Sequence, residues 1–494
     1  MPSTFALVVA GITLLYLALI TTTPSWLIGT PEYKWPVLMH GQWGKLPGAI
    51  LITGIAVTLG VLLVRRVEGG LKARFGKARL YAALLLLGLA FQLGPATVHR
   101  MGFIELPLRV YLQDHTSYFT DAKEISSFRR WSRNFPGSIR GMETHTRTHP
   151  PGAVLPFYLS IKVMESAPGL SSAISSWLPR SEEAKQSFRM SDAEVAAGLL
   201  MGLVLVLAAA ACVPLAYAIA RETGPPWMAA AGALLFAAMP AFSHKAPMLD
   251  HLLGLIMLVS LWLSITAVTR KQLWRIAAAG AIVGAGLWMG TSLLAAPALC
   301  VVYVAAAIYA FRQEGTGMKE PALLMLSFLL IFLGASVGAL LLTGATMGAS
   351  PLPVYRAITQ VGWKLNNELS GRYSTWMWMA FNPYEVLAWS GVPVAAYFLR
   401  SVVYGGRGIV SRKGKEVRTV VNPWLWALFF FLLALDLSGR VVYEASRLVW
   451  FCFPLIAIEA AREMPPSETD RGHITLALMA SLCAGGTLVF RFIF

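Results

Sequence analysis

The chain has 494 residues, 56% of them hydrophobic and 13% charged, and carries a net charge of +16. A soluble protein carries roughly 25% charged residues, so this composition excludes a soluble globular domain and points to a lipid bilayer. The positive charge has no basic, aromatic-interleaved soluble module to sit in, which excludes nucleic acid as a partner and assigns it to loops that meet membrane lipids.

Apolar runs of about 20 residues, the length that crosses a bilayer, recur from end to end. Spans one to three are expected near 5–22, 47–64 and 80–97. The first has no basic n-region and no small-residue cleavage site, so it reads as a retained span. A polar segment, 98–190, follows. Spans four to nine are expected near 193–219, 227–242, 249–268, 276–292, 295–311 and 321–345, with the seventh and eighth joined closely through Gly290–Thr291–Ser292. The last four are expected near 384–400, 422–436, 445–461 and 474–493. The fold class is therefore an all-α polytopic membrane protein of about 13 transmembrane helices, with amphipathic helices in an external loop. Three sections are expected: a hairpin and basic loop over 1–79, a module over 80–345 that includes the loop 98–190, and a loop with the last helices over 346–494. Cys212, Cys300, Cys452 and Cys483 lie inside apolar runs with no CxxC pair, and read as small core residues.

Lys and Arg set the orientation. The stretches Arg65–Arg79 and Arg400–Arg418 carry six each, and with the N-terminus inside both fall in the cytoplasm. Arg221, Arg270, Lys271, Arg275, Arg312, Lys319, Arg462 and Arg471 join them, giving 20 cytoplasmic Lys/Arg against nine in short external segments. The segment 98–190, the turn Ser243–Asp250, the stretch Thr346–Pro383 and the turn Asp436–Arg447 are then all external.

Five constellations on that side can carry chemistry. In Tyr118–Phe–Thr–Asp121–Ala–Lys–Glu124, Asp121 lies beyond a span, where a carboxylate can act as general base on an acceptor hydroxyl. The same residues also fit a capping box, with Thr120 or Asp121 as N-cap and Glu124 as its partner. In Thr144–His–Thr–Arg–Thr–His–Pro–Pro–Gly152, His145, Arg147 and His149 suit a phosphate or a sugar. A metal held by the two histidines is the alternative, opposed by the prolines, which disfavour one regular helix presenting both. At a span mouth, His244, Lys245, Asp250 and His251 are ionisable groups at membrane depth, functional or merely snorkelling and capping. Arg440, Glu444 and Arg447 stand at another mouth. Glu444 and Arg447 are three apart on one helix face, as a phosphate site or an internal ion pair. Between Tyr355 and Tyr384, Trp363, Lys364, Asn366, Asn367, Arg372, Trp376 and Trp378 suit carbohydrate or lipid head groups, or a plain interfacial aromatic belt.

On these residues the sequence resembles the GT-C membrane glycosyltransferases, which use polyprenyl-phosphate-linked sugars. An acidic residue in an external loop just after a span, followed by a short amphipathic helix, is their mark, and Tyr118–Glu124 leading into Ile125–Phe135 is similar to it. Thr148–His–Pro–Pro–Gly–Ala–Val resembles a paired-proline segment of bacterial members. Asp250 stands where such members often carry a second carboxylate. Tyr443–Glu–Ala–Ser–Arg447–Leu–Val–Trp–Phe–Cys–Phe–Pro454 resembles a late-span motif of uncharacterised bacterial members. The likeness covers roughly 80–460, and the acidic loop follows the third span where better-known branches place it after the first.

The resemblance implies an inverting transfer of a sugar from a polyprenyl-phosphate donor to a glycan or lipid acceptor of the cell envelope, on the non-cytoplasmic face. Asp121 and Asp250 would be the catalytic carboxylates. Glu124, His145, Arg147, His149, His244, Lys245, Lys364, Arg372, Arg440, Glu444 and Arg447 would bind substrate, with Lys245, Arg440 and Arg447 on the departing phosphate. No DxD pair is present and no metal ligands are assigned, so no cofactor is named and a divalent metal is left open. The competing readings are a transporter or flippase of a lipid-linked sugar and a non-catalytic scaffold of an envelope assembly.

Overall fold

The computed structural model describes residues 3–29, 35, 41–68, 76–99, 101–111, 117–178, 189–244, 247–313, 321–370, 375–405, 409–413, 416–420, 422–439, 441, 445–465 and 470–493. The first apolar run forms α1 (Thr4–Thr21), started by Ser3, whose hydroxyl accepts the Ala6 N–H at 3.2 Å. The helices α2 (Leu46–Glu68) and α3 (Lys77–Ala96) follow. Among the described residues the polar segment holds short helices: α4 (Glu105–Leu108), α5 (Tyr118–Lys123), α6 (Phe128–Ser138), α7 (Thr144–Thr148), α8 (Leu155–Glu165) and α9 (Pro168–Trp177). In α6 the buried Phe128, Ser132 and Phe135 recur at i, i+4 and i+7, one stripe of an otherwise exposed helix.

A capping box of Ser191 and Glu194 opens α10 (Asp192–Thr223). Then come α11 (Pro226–Ala238), α12 (Pro240–His244), α13 (Leu249–Thr269), α14 (Trp274–Gly286), α15 (Ala296–Gln313) and α16 (Pro321–Met347). Gly280 and Gly284, four apart on α14, let its backbone lie on α16. A Cβ added at either would stand 2.3 Å from the Phe332 carbonyl oxygen or 2.0 Å from that of Ser336. This is the small-residue packing that joins helices in lipid.

The chain continues through α17 (Pro351–Ser370), α18 (Thr375–Ser390), α19 (Val392–Gly405), α20 (Pro423–Leu437), α21 (Ala445–Leu448), α22 (Phe453–Arg462) and α23 (Asp470–Ile493). One contiguous buried core draws on all three expected sections, from Ala6 through Phe236 to Phe490. All four cysteines are buried and unpaired.

Among the described residues, eight helices are long and apolar enough to cross a membrane: α1, α2, α3, α10, α13, α15, α16 and α23. The chain is an integral membrane protein. Apolar helices of 10–17 residues (α11, α14, α19 and α20) occupy four of the other expected spans. Several boundaries differ from expectation. The run near 227–242 stops at Ala238, ahead of Pro240. That near 384–400 divides at Gly391, whose φ of +80° ends α18. The run 445–461 is split into α21, a 3-10 turn at Trp450–Cys452 and α22, which begins at Phe453–Pro454. The described residues of the stretch expected to be external, 346–383, are mostly helical. Around the basic stretch 400–418, the strands β1 (Ile409–Lys413) and β2 (Glu416–Val420) pair antiparallel, Ile409 opposite Val420, a single hairpin on an otherwise helical fold.

Polar contacts gather at two ends of the bundle. At one, Arg270 pairs with Glu222, Arg462 donates to the Thr223 carbonyl at 3.1 Å, and Arg400 lies 3.7 Å from Glu463. At the other are Asp250 and the segment 98–178. Asp250 and Arg270 bracket α13, so these layers lie roughly 30 Å apart at 1.5 Å per residue, the thickness of a hydrocarbon core. The Lys/Arg asymmetry predicts that the Arg270 end is the cytoplasmic one. Gly137→Cys and Ala78→Cys, at exposed sites on opposite ends, should therefore label oppositely in intact cells with an impermeant thiol reagent. Labelling of Ala78→Cys alone reverses the orientation.

Candidate functional site

Four stretches distant in sequence meet at the Asp250 end: 118–124, 144–152, 250–251 and 447. Asp250 and His251 fall in the first turn of α13. Arg447 lies in α21, and its Nε donates to Asp250 Oδ2 at 2.8 Å, with the two side chains only 13% and 15% exposed. Glu385, itself buried in α18, fixes this short helix. Its Oε1 accepts from Ser446 N at 3.1 Å and Ser446 Oγ at 2.6 Å, and its Oε2 accepts from Ala445 N at 3.2 Å. Asn382, one turn earlier, donates to Asp436 Oδ1 at 2.9 Å and to the Val441 carbonyl at 2.8 Å, holding the connection that leads to Arg447.

His149 ends α7, with Nδ1 3.0 Å from the His145 carbonyl, and the Tyr118 ring meets its edge at 5.5 Å between centroids. The two prolines that follow leave the backbone extended at His149 and Pro150. Gly152 then passes so close to Trp288 that a Cβ there would be 2.4 Å from its carbonyl oxygen. His251 is fully buried, edge-on to Trp450 at 4.5 Å, and accepts the Met248 N–H on Nδ1 at 3.0 Å. Its Nε2 has no partner among the described residues.

Burial disfavours charge on the His149 imidazole and holds it down to about 4, Asp250 opposing and Arg447 reinforcing the effect. Burial likewise pushes the Tyr118 phenol up; Arg447 pulls against this and Asp250 adds to it. At neutral pH the centre thus holds one matched ion pair, a neutral phenol and a neutral His149 imidazole.

Asp121 sits half-buried on α5 beside this centre. It is not the N-cap of the helix after it: Ser127 stands at the N-cap of α6, Ser117 at that of α5, and Glu124 is exposed at the α5 C-terminus. The capping-box expectation is corrected accordingly. Asp121 instead serves α7 from a distance, its Oδ2 accepting the Glu143 N–H at 3.2 Å, where that turn leaves a donor without a helical acceptor. Burial raises the Asp121 carboxyl above its usual range, although the Thr146 hydroxyl and the Glu143 N–H draw it back.

The other predicted residues divide. His145 lies beside Tyr118 at 6.2 Å, and Arg147 donates to Thr144 Oγ1 at 3.2 Å on α7. His244 stacks at 4.9 Å on Trp389. Lys364 is exposed on α17, an amphipathic helix that packs on α6 and α7. Lys245, Arg372, Arg440 and Glu444 lie outside the described residues. Among those described, no three His, Cys, Asp or Glu side chains gather closely enough to hold a metal ion, so the two-histidine alternative finds no third ligand.

A second buried cluster adjoins His244. Glu105 accepts from Arg109 Nε and from Arg491 Nη2, the latter at 2.6 Å. Both guanidiniums also donate to the His244 carbonyl, at 3.1 and 3.4 Å. Burial works against the Glu105 charge, but Arg491 and Arg109 hold the carboxyl down at about 2. Glu105, Arg109, Arg491 and Glu385 were not singled out from the sequence. The i, i+4 spacing of Glu105 and Arg109, and acids and bases inside apolar runs at 385 and 491, were the available signals.

No protein-family model matches the chain, and no curated protein is found similar to it. The class that fold and site define is a polytopic helical membrane protein with a histidine-flanked Asp–Arg pair at one end of its bundle.

Removing one member of a buried pair leaves an uncompensated charge. Asp250→Asn and Arg447→Met should each destabilise the protein by about 3 kcal/mol, and the double variant by much less than their sum. Additive losses in detergent unfolding would mean that the pair is not coupled. His149, depressed when folded, takes up protons on unfolding between its ordinary 6.5 and about 4. Its contribution is complete above that window and is lost as pH falls through it. His149→Gln should flatten the fall of unfolding midpoint over that range, and an unchanged slope would assign the titration elsewhere.

Proposed function

We propose that the chain is a lipid-linked-sugar glycosyltransferase whose centre lies at the Asp250–Arg447 end, facing away from the cytoplasm. The thirteen apolar segments are taken as thirteen crossings, which puts 98–178 and Arg447 on one side. The observation that carries the proposal is the convergence of Tyr118–Asp121, His149, Asp250 and Arg447 from four separate stretches. All four belong to the motifs on which the family likeness rests. The unpartnered Nε2 of the buried His251 supports it, since a buried polar atom calls for a partner.

In this scheme Asp121 takes the proton of an acceptor hydroxyl as that oxygen attacks the anomeric carbon of the donor. The bond from that carbon to the phosphate oxygen breaks on the opposite face, so configuration inverts, and the electron pair leaves with the polyprenyl phosphate. Arg447 receives the growing negative charge, oriented by Asp250, and a planar guanidinium suits a phosphate better than an ammonium does. A raised carboxyl pKa serves a general base, because it brings basicity closer to neutral pH. No step is routed through a metal.

The test is transfer in vitro from a panel of polyprenyl-phosphate sugars by purified protein. Asp121→Asn keeps the oxygen that caps α7 and removes the base, so turnover should fall by roughly 10²–10⁴-fold at unchanged expression. Activity within about twofold of wild type would leave Asp121 a cap only. Arg447→Lys should keep part of the activity of wild type and Arg447→Ala almost none. An active Asp250→Asn/Arg447→Met variant would remove the pair from catalysis.

A further inference from the structure

At the opposite end of the bundle a groove of about 830 Å³ opens between α2, α3 and α10. Its wall follows α2 from Ala56 to Val67 and α3 from Ala90 back to Lys77, roughly 15–20 Å at 1.5 Å per residue. That is the depth of one leaflet of a hydrocarbon core about 30 Å thick. The deep part is apolar: Leu59, Leu63, Leu86 and Leu87, with small Ala56, Ala83 and Ala90 leaving room between them. Leu59 and Leu86 are 58% and 64% exposed, so the groove opens sideways, where lipid would lie.

Among the described lining residues, charge collects at the shallow rim. Arg66, Lys77, Arg221 and Arg270 stand there against one carboxylate, Glu222, which already pairs with Arg270. Arg66 and Lys77 are exposed, and Arg221 donates to the Gly224 carbonyl at 2.6 Å, which fixes the direction of its guanidinium. Just inside, Tyr81 meets Tyr217 edge to face at 6.0 Å between centroids and marks the change from polar to apolar. A leaflet-deep apolar slot with a cationic rim is complementary to an amphiphile with an anionic head and a hydrocarbon tail.

We infer that this groove is a binding site for an anionic glycerophospholipid, its phosphate held by Arg66, Lys77 and Arg221 and one acyl chain lying between α2 and α3. None of these residues belongs to the proposed transfer centre, some 30 Å away along the helices, and the inference stands whether or not that proposal does.

The experiment retains the full chain, purified in detergent, and counts bound lipid by native mass spectrometry on titration with dioleoyl phosphatidylglycerol. Dioleoyl phosphatidylcholine and inorganic phosphate serve as comparison probes. One tightly retained phosphatidylglycerol, not displaced by inorganic phosphate, is expected. Arg66→Gln/Lys77→Gln should weaken its retention by roughly tenfold, since each cation near a lipid phosphate contributes materially. Arg65→Gln/Arg79→Gln removes equal charge from exposed positions at the same end, outside the groove, and should change retention by less than about twofold. Equal losses from the two pairs would mean a diffuse surface field and overturn the site. Equal retention of phosphatidylcholine, or displacement by inorganic phosphate, would overturn the assignment to an anionic lipid. Elution volume on size exclusion, expected to match wild type for these surface substitutions, verifies the fold.

Discussion

Hydrocarbon offers no hydrogen bonds, and everything else in this molecule follows from that. A backbone amide in the bilayer must find its partner within its own segment, so the apolar runs are helices. Charged side chains are driven to the helix ends, where they gather in two layers. Within each layer the charges are matched across helices that are distant in sequence: Asp250 with Arg447, Glu222 with Arg270, and Glu105 with Arg491, the last pair joined by the local Arg109. These contacts fix which helix ends stand together, because a lone buried charge costs far more than a surface one.

The two guanidiniums on Glu105 illustrate how far that matching goes. One carboxylate neutralises only one of them, and the remainder is satisfied by dipoles: the His244 carbonyl accepts from both. The end of α23 is thereby tied to α4 and α12 at the same level as the Asp250–Arg447 pair. A similar economy appears at Glu385, whose carboxylate takes three donors from Ala445 and Ser446. Four residues of helix are too few to hold themselves, so the place of Arg447 is set by α18 and not by α21.

Much of this was legible in the sequence, and for identifiable reasons. Long apolar runs need no tertiary information, and α1, α2, α3, α10, α13, α15, α16 and α23 emerged close to where they were expected. The expected parity of crossings put Asp250 and Arg447 at one end, but their pairing was not legible, because local spacing offered Glu444, three residues away, as the partner of Arg447. The interruptions were less visible. Hydropathy is continuous through Gly391 and through Val449–Cys452, and only backbone geometry shows that helices end there. Arg491 lies 386 residues from Glu105, and the convergence of one acid with two bases is a tertiary fact that the local spacing of Glu105 and Arg109 only partly announces. The local capping-box reading of Asp121 failed for the same reason. Its partner, the Glu143 N–H, lies 22 residues on, beyond the range of any local capping pattern.

That partner also sets what Asp121 can do. A carboxylate that accepts a backbone N–H is held in one orientation and loses some basicity, while a half-buried carboxylate gains it. Here burial outweighs the hydrogen bonds, and the proton affinity ends above that of a solvated aspartate. Capping lowers the basicity of the group, and burial more than restores it. The cap draws on Oδ2 and fixes the side chain against α7, the element that also delivers His149 to Tyr118 and toward Asp250. A carboxylate anchored through the turn that carries its neighbours moves only when they do, which is the preorganisation a general base requires. The structural role of Asp121 is the means by which the catalytic role proposed for it becomes mechanically feasible.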